Sequence, residues 1–400
     1  MREMKDSGIA WIGAMPRAWK MNTIAQIFLQ VKCKNTGLQE KNLLSLSYGK
    51  VKQKSIDTVE GLLPESFDGY NIIEKDDIVL RLTDLQNDHT SLRVGLAEER
   101  GIITSAYLTI RNRSNFCPKY LYYYLHSFDI AKGFYGMGAG VRQGLNWDSV
   151  KWLKILAPSV PEQERIAAFL DAECAEIDAV LEKTRASIEE YKKLKQAVIT
   201  QAVTKGVRGD RPMKDSGIEW IGDIPAEWDY TKAKNCVDIQ NGSDPKTEGS
   251  VPVYGSGASS FKTCGEYKEG PSVLIGRKGA TLHIPHYIST KFWNVDTAFN
   301  VYAKPNFDLK FYFYCACSFD YRFYISQTTL PSMTQTAYEN MFLPLPSNDE
   351  QRAIASYLDN RCEEIDALIW KKQECLVEIE NYKKSLIYEY VTGKKEVHPL

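Results

Sequence analysis

The residues whose types and spacing suit chemistry are basic, and they close short β-branched runs. Arg81 follows IVL, and Arg277 follows VLIG with Lys278 and Gly279 directly behind it. An arginine at a strand end can lay its planar fork on a guanine edge or clamp a phosphate. Lys50, Lys52 and Lys54 alternate along GKVKQK, so they share one strand face, suited to a row of phosphates and equally to a lysine-guarded edge strand. GMGAGVRQG at 136–144 has the glycines of a nucleotide loop without the preceding strand or the following acid. It reads as a DNA-facing loop offering Arg142 and Gln143, and the matching later stretch, QTTLPSMTQ, offers Ser332, Thr334 and Gln335.

Catalytic patterns are missing. The sequence holds no GxxxxGK[ST] loop, no acid–lysine nuclease constellation and no proline-rich methyltransferase tetrapeptide, and its five histidines are scattered. His283 and His286 lack a third ligand at useful spacing, so no metal is expected and a structural role is read for both. The nine cysteines form no CxxC pair, which reads as reduced thiols in a cytoplasmic protein, and the first residues carry no apolar signal-peptide core. With 400 residues, 44% of them hydrophobic, the chain can bury at least two cores. A net charge of −1 excludes a uniformly basic coat, so any nucleic-acid site must be local.

The elements that position these residues come twice. Residues 4–19 read MKDSGIAWIGAMPRAW and residues 213–228 read MKDSGIEWIGDIPAEW, with eleven of sixteen positions identical. Later matches follow in order: KYLYYYLHSFD at 119–129 with KFYFYCACSFD at 310–320, then EQERIAAFLDAECAEIDA at 162–179 with EQRAIASYLDNRCEEIDA at 350–367. The offset falls from 209 to 188. Similar ends around a dissimilar middle describe one scaffold carrying two different readers.

Each copy has an α+β globule, 20–157 or 229–346, of short strands with a Tyr/Phe-rich helix expected at 118–128 and 309–319. The clustered rings of those helices are read as core stripes. A long helix follows, 161–203 or 349–391. Cys174, Ile177, Leu181, Thr184, Ile188 and Tyr191 step by three and four along the first, as do Cys362, Ile365, Ile369, Lys372, Leu376 and Ile379 along the second. That is a heptad seam, with Cys174 and Cys362 as small buried hydrophobes. The expected domains are 1–160, spacer helix 161–204, 205–347, and spacer helix plus tail 348–400. A parallel pair would require the eight-residue link 205–212 to retrace a helix of about 60 Å, while its full reach is about 28 Å. The helices must pair antiparallel, which puts the globules at opposite ends of a rod with a pseudo-twofold axis.

MKDSGI-WIG--P--W, P-x-x-EQ-x-x-IA-x-x-LD and YKK…VT resemble the specificity subunit of type I restriction–modification enzymes, over essentially the whole chain. The resemblance implies two target-recognition domains, each reading one half of a bipartite asymmetric DNA sequence. It also implies spacer helices that set the distance between the halves and dock two methyltransferase subunits, and motor–nuclease subunits held through them. On that reading the chain is not catalytic and binds no cofactor itself, while S-adenosylmethionine, ATP and Mg2+ belong to the partners. The charge agrees in sign: 18 basic against 14 acidic residues in 20–157 and 11 against 10 in 229–346, but 7 against 9 in 162–205 and 8 against 11 in 349–396. The helices alone are poor phosphate binders, so much of the affinity for DNA is expected from the partners. The competing reading is a bipartite coiled-coil scaffold whose globules bind proteins.

Overall fold

The computed structural model describes residues 2–55, 66–86, 88, 90, 92–137, 144–257, 259–326 and 331–397. The chain divides into two compact units, Met1–Lys183 with Cys375–Leu400, and Thr184–Glu374.

The first unit opens with Met4–Asp6 paired antiparallel to Ala14–Pro16. The intervening Asp-Ser-Gly makes a tight turn. Asp6 Oδ1 accepts from the Gly8 amide (3.0 Å), Ser7 Oγ accepts from the Ile9 amide (3.1 Å), and Gly8 holds φ +69, where a side chain would be strained. Lys20–Thr23 pairs with Lys154–Ala157, bringing the ends of the reader together. Between them lies a four-stranded antiparallel sheet in the order Phe28–Gln30, Leu108–Asn112, Ile78–Leu80, Val94–Leu96. The helix Pro118–Ile130 covers it, burying Tyr120, Leu121, Tyr124 and Leu125 against Ile78, Leu80 and Ile110. A hairpin of Leu44–Ser47 and Lys50–Gln53 and a pair of Asn71–Ile73 with Gly101–Ile103 complete the reader, linked by a parallel bridge from Leu43 to Ile102.

The second unit repeats this plan. Its four-stranded sheet runs Val237–Asn241, Ala298–Ala303, Ser272–Gly276, His286–Ile288, and the strand Val251–Tyr254 pairs antiparallel with Lys262–Cys264 and parallel with Trp293–Asn294. The covering helix, Leu309–Ala316, stops three residues short of the expected 319, whereas its counterpart runs two past the expected 128. The sequence SFD is common to both ends, so neighbours decide. In the first unit Asp129 Oδ2 accepts from the buried Arg93 amide (2.6 Å). In the second, the Tyr321 hydroxyl donates to the Ala316 carbonyl (2.8 Å) and Asp320 turns out to Arg322.

The two long helices are Val160–Lys205 and Asn348–Val391. Inside the first unit Phe169 packs on Tyr390 and Asp178 accepts from Lys383 Nζ (2.6 Å). Inside the second, Lys372 lies over Tyr191 and Lys195 Nζ reaches Asp366 (2.6 Å). In each unit partner numbers fall on one helix as they rise on the other, so the pairing is antiparallel. Cys174, Ile177, Leu181, Ile188, Cys362 and Ile365 are buried along the seam.

Each reader is fixed to its helix by the same contacts. The Trp19 indole donates to Glu162 (3.1 Å) and the Trp228 indole to Glu350 (2.9 Å), with Arg2 and Arg211 paired to the same carboxylates at 2.6 and 2.7 Å. Gln163 accepts from the Cys117 amide and Gln351 from the Asp308 amide. Asp171 takes Lys119 and the Tyr123 hydroxyl, and Asp359 takes Lys310 and the Tyr314 hydroxyl. These acids sit in the first turns of their helices or face the reader's helix, where burial holds the Tyr123 and Tyr314 phenols far above their ordinary titration range.

Candidate nucleic-acid interface

In the first unit three loops converge beyond the ends of the four-stranded sheet. Gly49, at the tip of the Leu44–Ser47/Lys50–Gln53 hairpin, packs so closely on Leu92 that an added Cβ would lie 3.0 Å from the Leu92 Cβ. Leu92 belongs to the 81–93 loop, and the Leu82 carbonyl of that loop accepts from the Leu145 amide (2.8 Å), which brings in the end of the 136–145 segment.

The 81–93 loop is built around Arg93, whose side chain is fully buried. Its guanidinium donates to the carbonyls of Arg81 (3.1 Å), Thr83 (2.8 Å), Asp84 (3.3 Å) and Asp88 and, through Nε, to the Tyr135 hydroxyl (2.9 Å). One planar cation thus gathers a loop whose described residues form no helix or strand. Nothing in the periodicity of the sequence distinguishes this arginine, because VGL after it reads as an ordinary strand start.

The sequence candidates fall around this hub. Arg81 is one-third exposed, with Nη2 3.7 Å from Asp88. Lys50 and Lys52 are exposed on the hairpin, and Lys50 Nζ approaches Asp178 of the long helix at 4.0 Å. Lys54 lies one residue past the strand Lys50–Gln53, half-buried, its amide donating to the Leu43 carbonyl (2.8 Å). Arg142 and Gln143 lie outside the described residues.

The second unit has the equivalent convergence with different fastenings. Arg277 and Lys278 follow the strand Ser272–Gly276; the Arg277 amide donates to the Thr297 carbonyl (2.8 Å) and its own carbonyl accepts from Met333 (2.9 Å). The Arg277 guanidinium lies over the Phe299 ring at 5.9 Å, and Lys278 Nζ is 4.0 Å from Asp296. Gly279, at φ +117, donates its amide to Pro331, and Thr281 Oγ1 donates to the Ser256 carbonyl (2.9 Å), tying the 255–261 loop to this turn. Tyr338, fully buried, donates its hydroxyl to the Gly276 carbonyl (2.7 Å) beneath the loop.

Ser332 forms bridges with Lys278 and Ser326. Thr334 accepts from the Ala337 amide and so caps the helix Gln335–Asn340, as Asn146 caps Trp147–Val150 in the first unit. The Gln335 amide bonds Ile239, Glu339 and Asn241. The polar groups of Thr334 and Gln335 therefore already have partners within the fold, while Arg277 and Lys278 keep part of their side chains in solvent.

Titration separates the units at the far end of the covering helices. His126 is buried with Nδ1 unpartnered, beside a cavity of about 330 Å³ lined also by Lys383, Asp178 and Lys119. Desolvation, with Lys383 adding to it, pushes its pKa down to about 4. Burial pushes Asp129 up to about 6 against the lowering pull of the Arg93 amide. In the second unit Cys317 and Asp320 stand at these positions, and the Arg322 side chain lowers the pKa of the partly exposed Asp320. Burial likewise lowers the pKa of His286. Among the described residues no group of three His, Cys, Asp or Glu side chains is placed to hold a metal ion, and no helix is long and apolar enough to cross a membrane.

Two like-folded readers, each fixed to the start of a long paired helix and each presenting basic loops from the same sheet ends, define a two-module recognition protein. Residues 225–376 match the family described as the type I restriction modification DNA specificity domain. Along 96% of both chains it is 23% identical to a Methanocaldococcus jannaschii protein provisionally named the type I restriction enzyme MjaX specificity subunit. Two solved structures share the fold. One, from work on complex assembly and conformational transition of the type I R-M system, has a TM-score of 0.73 at 17% identity, covering 95% of this chain and 99% of its own. The HsdS subunit from Thermoanaerobacter tengcongensis has a TM-score of 0.51 at 16% identity, covering 95% and 98%.

Proposed function

We propose that this DNA specificity subunit reads an asymmetric bipartite duplex target, one half with each unit, and carries no catalytic centre of its own. The paired helices set the spacer and dock two methyltransferase subunits, through which motor–nuclease subunits join. S-adenosylmethionine, ATP and Mg2+ are then held by those partners, in the cytoplasm. Arg81, Lys50 and Lys52 serve the first half-site, and Arg277 and Lys278 the second.

The observation that carries this reading is the repetition of one scaffold under two different sets of loops. The contacts that fix reader to helix, Trp–Glu–Arg and Gln–amide, are the same in both units, while the loops at the sheet ends differ in length, charge and fastening. A scaffold kept constant under variable loops suits reading of two unlike half-sites.

Exchanging residues 229–346 for the corresponding segment of a relative tests it. With the methyltransferase partners supplied, methylome sequencing should show one half of the target replaced and the other kept. Change in both halves, or absence of salt-dependent, sequence-selective DNA binding, would overturn the reading and favour a protein-binding scaffold.

A further inference from the structure

Resting on that function, we propose that Tyr48 is an aromatic DNA contact of the first unit, its ring packing on a base or deoxyribose of the first half-site. Tyr48 and Gly49 form the two-residue tip of a hairpin whose last pair is Ser47 with Lys50. Both tip residues hold positive φ, +48 and +74, the backbone of a type I′ turn. Glycine fits that turn freely and asparagine or aspartate suits the position Tyr48 occupies, whereas a tyrosine there is strained. It is also 88% exposed, more than any other large hydrophobic side chain among the described residues.

Neither local conformation nor core packing therefore accounts for a tyrosine at this position, and strain kept at an exposed tip points to a contact made outside the chain. Its surroundings name the partner. Exposed Lys50 and Lys52 stand on the same hairpin, and Gly49 holds the tip against Leu92 of the loop that carries Arg81. An exposed aromatic ring on a hairpin that also carries exposed lysines suits a nucleotide, whose base stacks while its phosphate pairs. The second unit offers the same combination on its longer hairpin loop, where Phe261 is 60% exposed with Lys262 over its ring.

The test uses the full chain assembled with its methyltransferase partners and a duplex carrying the target found by methylome sequencing. Tyr48→Asn relieves the turn, so the chain should unfold at the same or a higher temperature, yet the complex should bind about tenfold more weakly, within the range of one lost stacking contact. The salt dependence of binding should keep its slope, because no charge is removed. Tyr48→Phe should bind within about twofold of the original, as stacking rather than a hydroxyl bond requires. Wild-type affinity for Tyr48→Asn, or an equal loss for Tyr48→Phe, overturns the role of the ring. Failure of the unaltered complex to select any sequence overturns the function itself, and the two failures are distinguished by that control.

Discussion

The tripeptide Ser-Phe-Asp follows the same Tyr/Phe-rich segment in both units and takes two structures. At 127–129 it is the last helical turn, with Asp129 buried on the Arg93 amide; at 318–320 it lies beyond the helix, with the partly exposed Asp320 holding Arg322. Five places before the tripeptide stands Tyr122 in one and Phe313 in the other, and the residue directly before it is His126 or Cys317, ionisable in a different sense. The two readers therefore share topology while fastening their loops by unrelated chemistry: a buried guanidinium in the first, a buried phenol in the second. What is repeated is the set of sheet ends from which loops emerge, and what is free to vary is how each loop is tied down.

The largest break in this comparison is expected at Arg93. Arg93→Met removes the buried guanidinium and leaves the carbonyls of Arg81, Thr83 and Asp84 and the Tyr135 hydroxyl without that donor. A loss of about 3–5 kcal/mol is expected, the usual cost of removing one partner from a buried charged network. Hydrogen exchange should show loss of protection in 92–137 with 272–303 unchanged; equal protection in both variants would show that the guanidinium does not hold the loop.

Acid should separate the units next. His126 is depressed to about 4, so below its ordinary 6.5 the unfolded chain takes up a proton that the folded unit refuses. That stability, roughly 3 kcal/mol for a shift of this size, is complete above pH 6.5 and lost as pH falls toward 4. Asp129 runs the other way: with its pKa raised to about 6, the folded unit keeps a proton that the unfolded chain has released, and stability grows as pH falls through 6 toward 4. The two slopes oppose each other in one window. Asp129→Asn should uncover the histidine and make the first unit acid-labile, and His126→Gln should leave a unit that gains stability on mild acidification. Exchange of the Pro118–Ile130 amides between pH 4.5 and 7 reads both, and the Leu309–Ala316 amides should show neither slope. A single-variant profile as flat as the original would remove the assignment.

The smallest effect belongs to the phenol. Tyr338→Phe removes one buried donor from the Gly276 carbonyl, for about 1–2 kcal/mol. Thermal unfolding should register it as a minor shift, several-fold below that of Arg93→Met; a comparable shift would mean that the two fastenings are equivalent after all.

The duplication, the long helices and their antiparallel pairing are legible in the sequence because each is a repeating pattern. Cys174 and Cys362 fall on the seam as their spacing requires. The joint between Trp19 and Glu162 is invisible there for a simple reason: its members lie 143 positions apart, and each reads locally as something ordinary, a motif tryptophan and a first-turn acid. Arg93 is hidden because an arginine before a strand is read as a surface charge, and only the loop that folds over it reveals five acceptors. Tyr48 carried a faint signal, a Tyr-Gly pair between the alternating runs LSLS and KVKQ, which marks a two-residue hairpin; its exposure is a tertiary fact. Thr334 and Gln335 look like free polar groups until the helix they start is present to use them.

The first unit is not contiguous. Leu386, Ile387 and Val391 share one core with Ile12, Trp19 and Tyr120, and the Tyr388 hydroxyl donates to the Trp11 carbonyl (3.1 Å). During synthesis the segment 184–374 therefore leaves the ribosome as a complete unit, while the earlier-made reader waits for residues after 375. At about 5–20 residues per second that wait is on the order of 10–40 s. Throughout it the nascent first reader lacks one wall of its core, so the half of the protein made first is finished last.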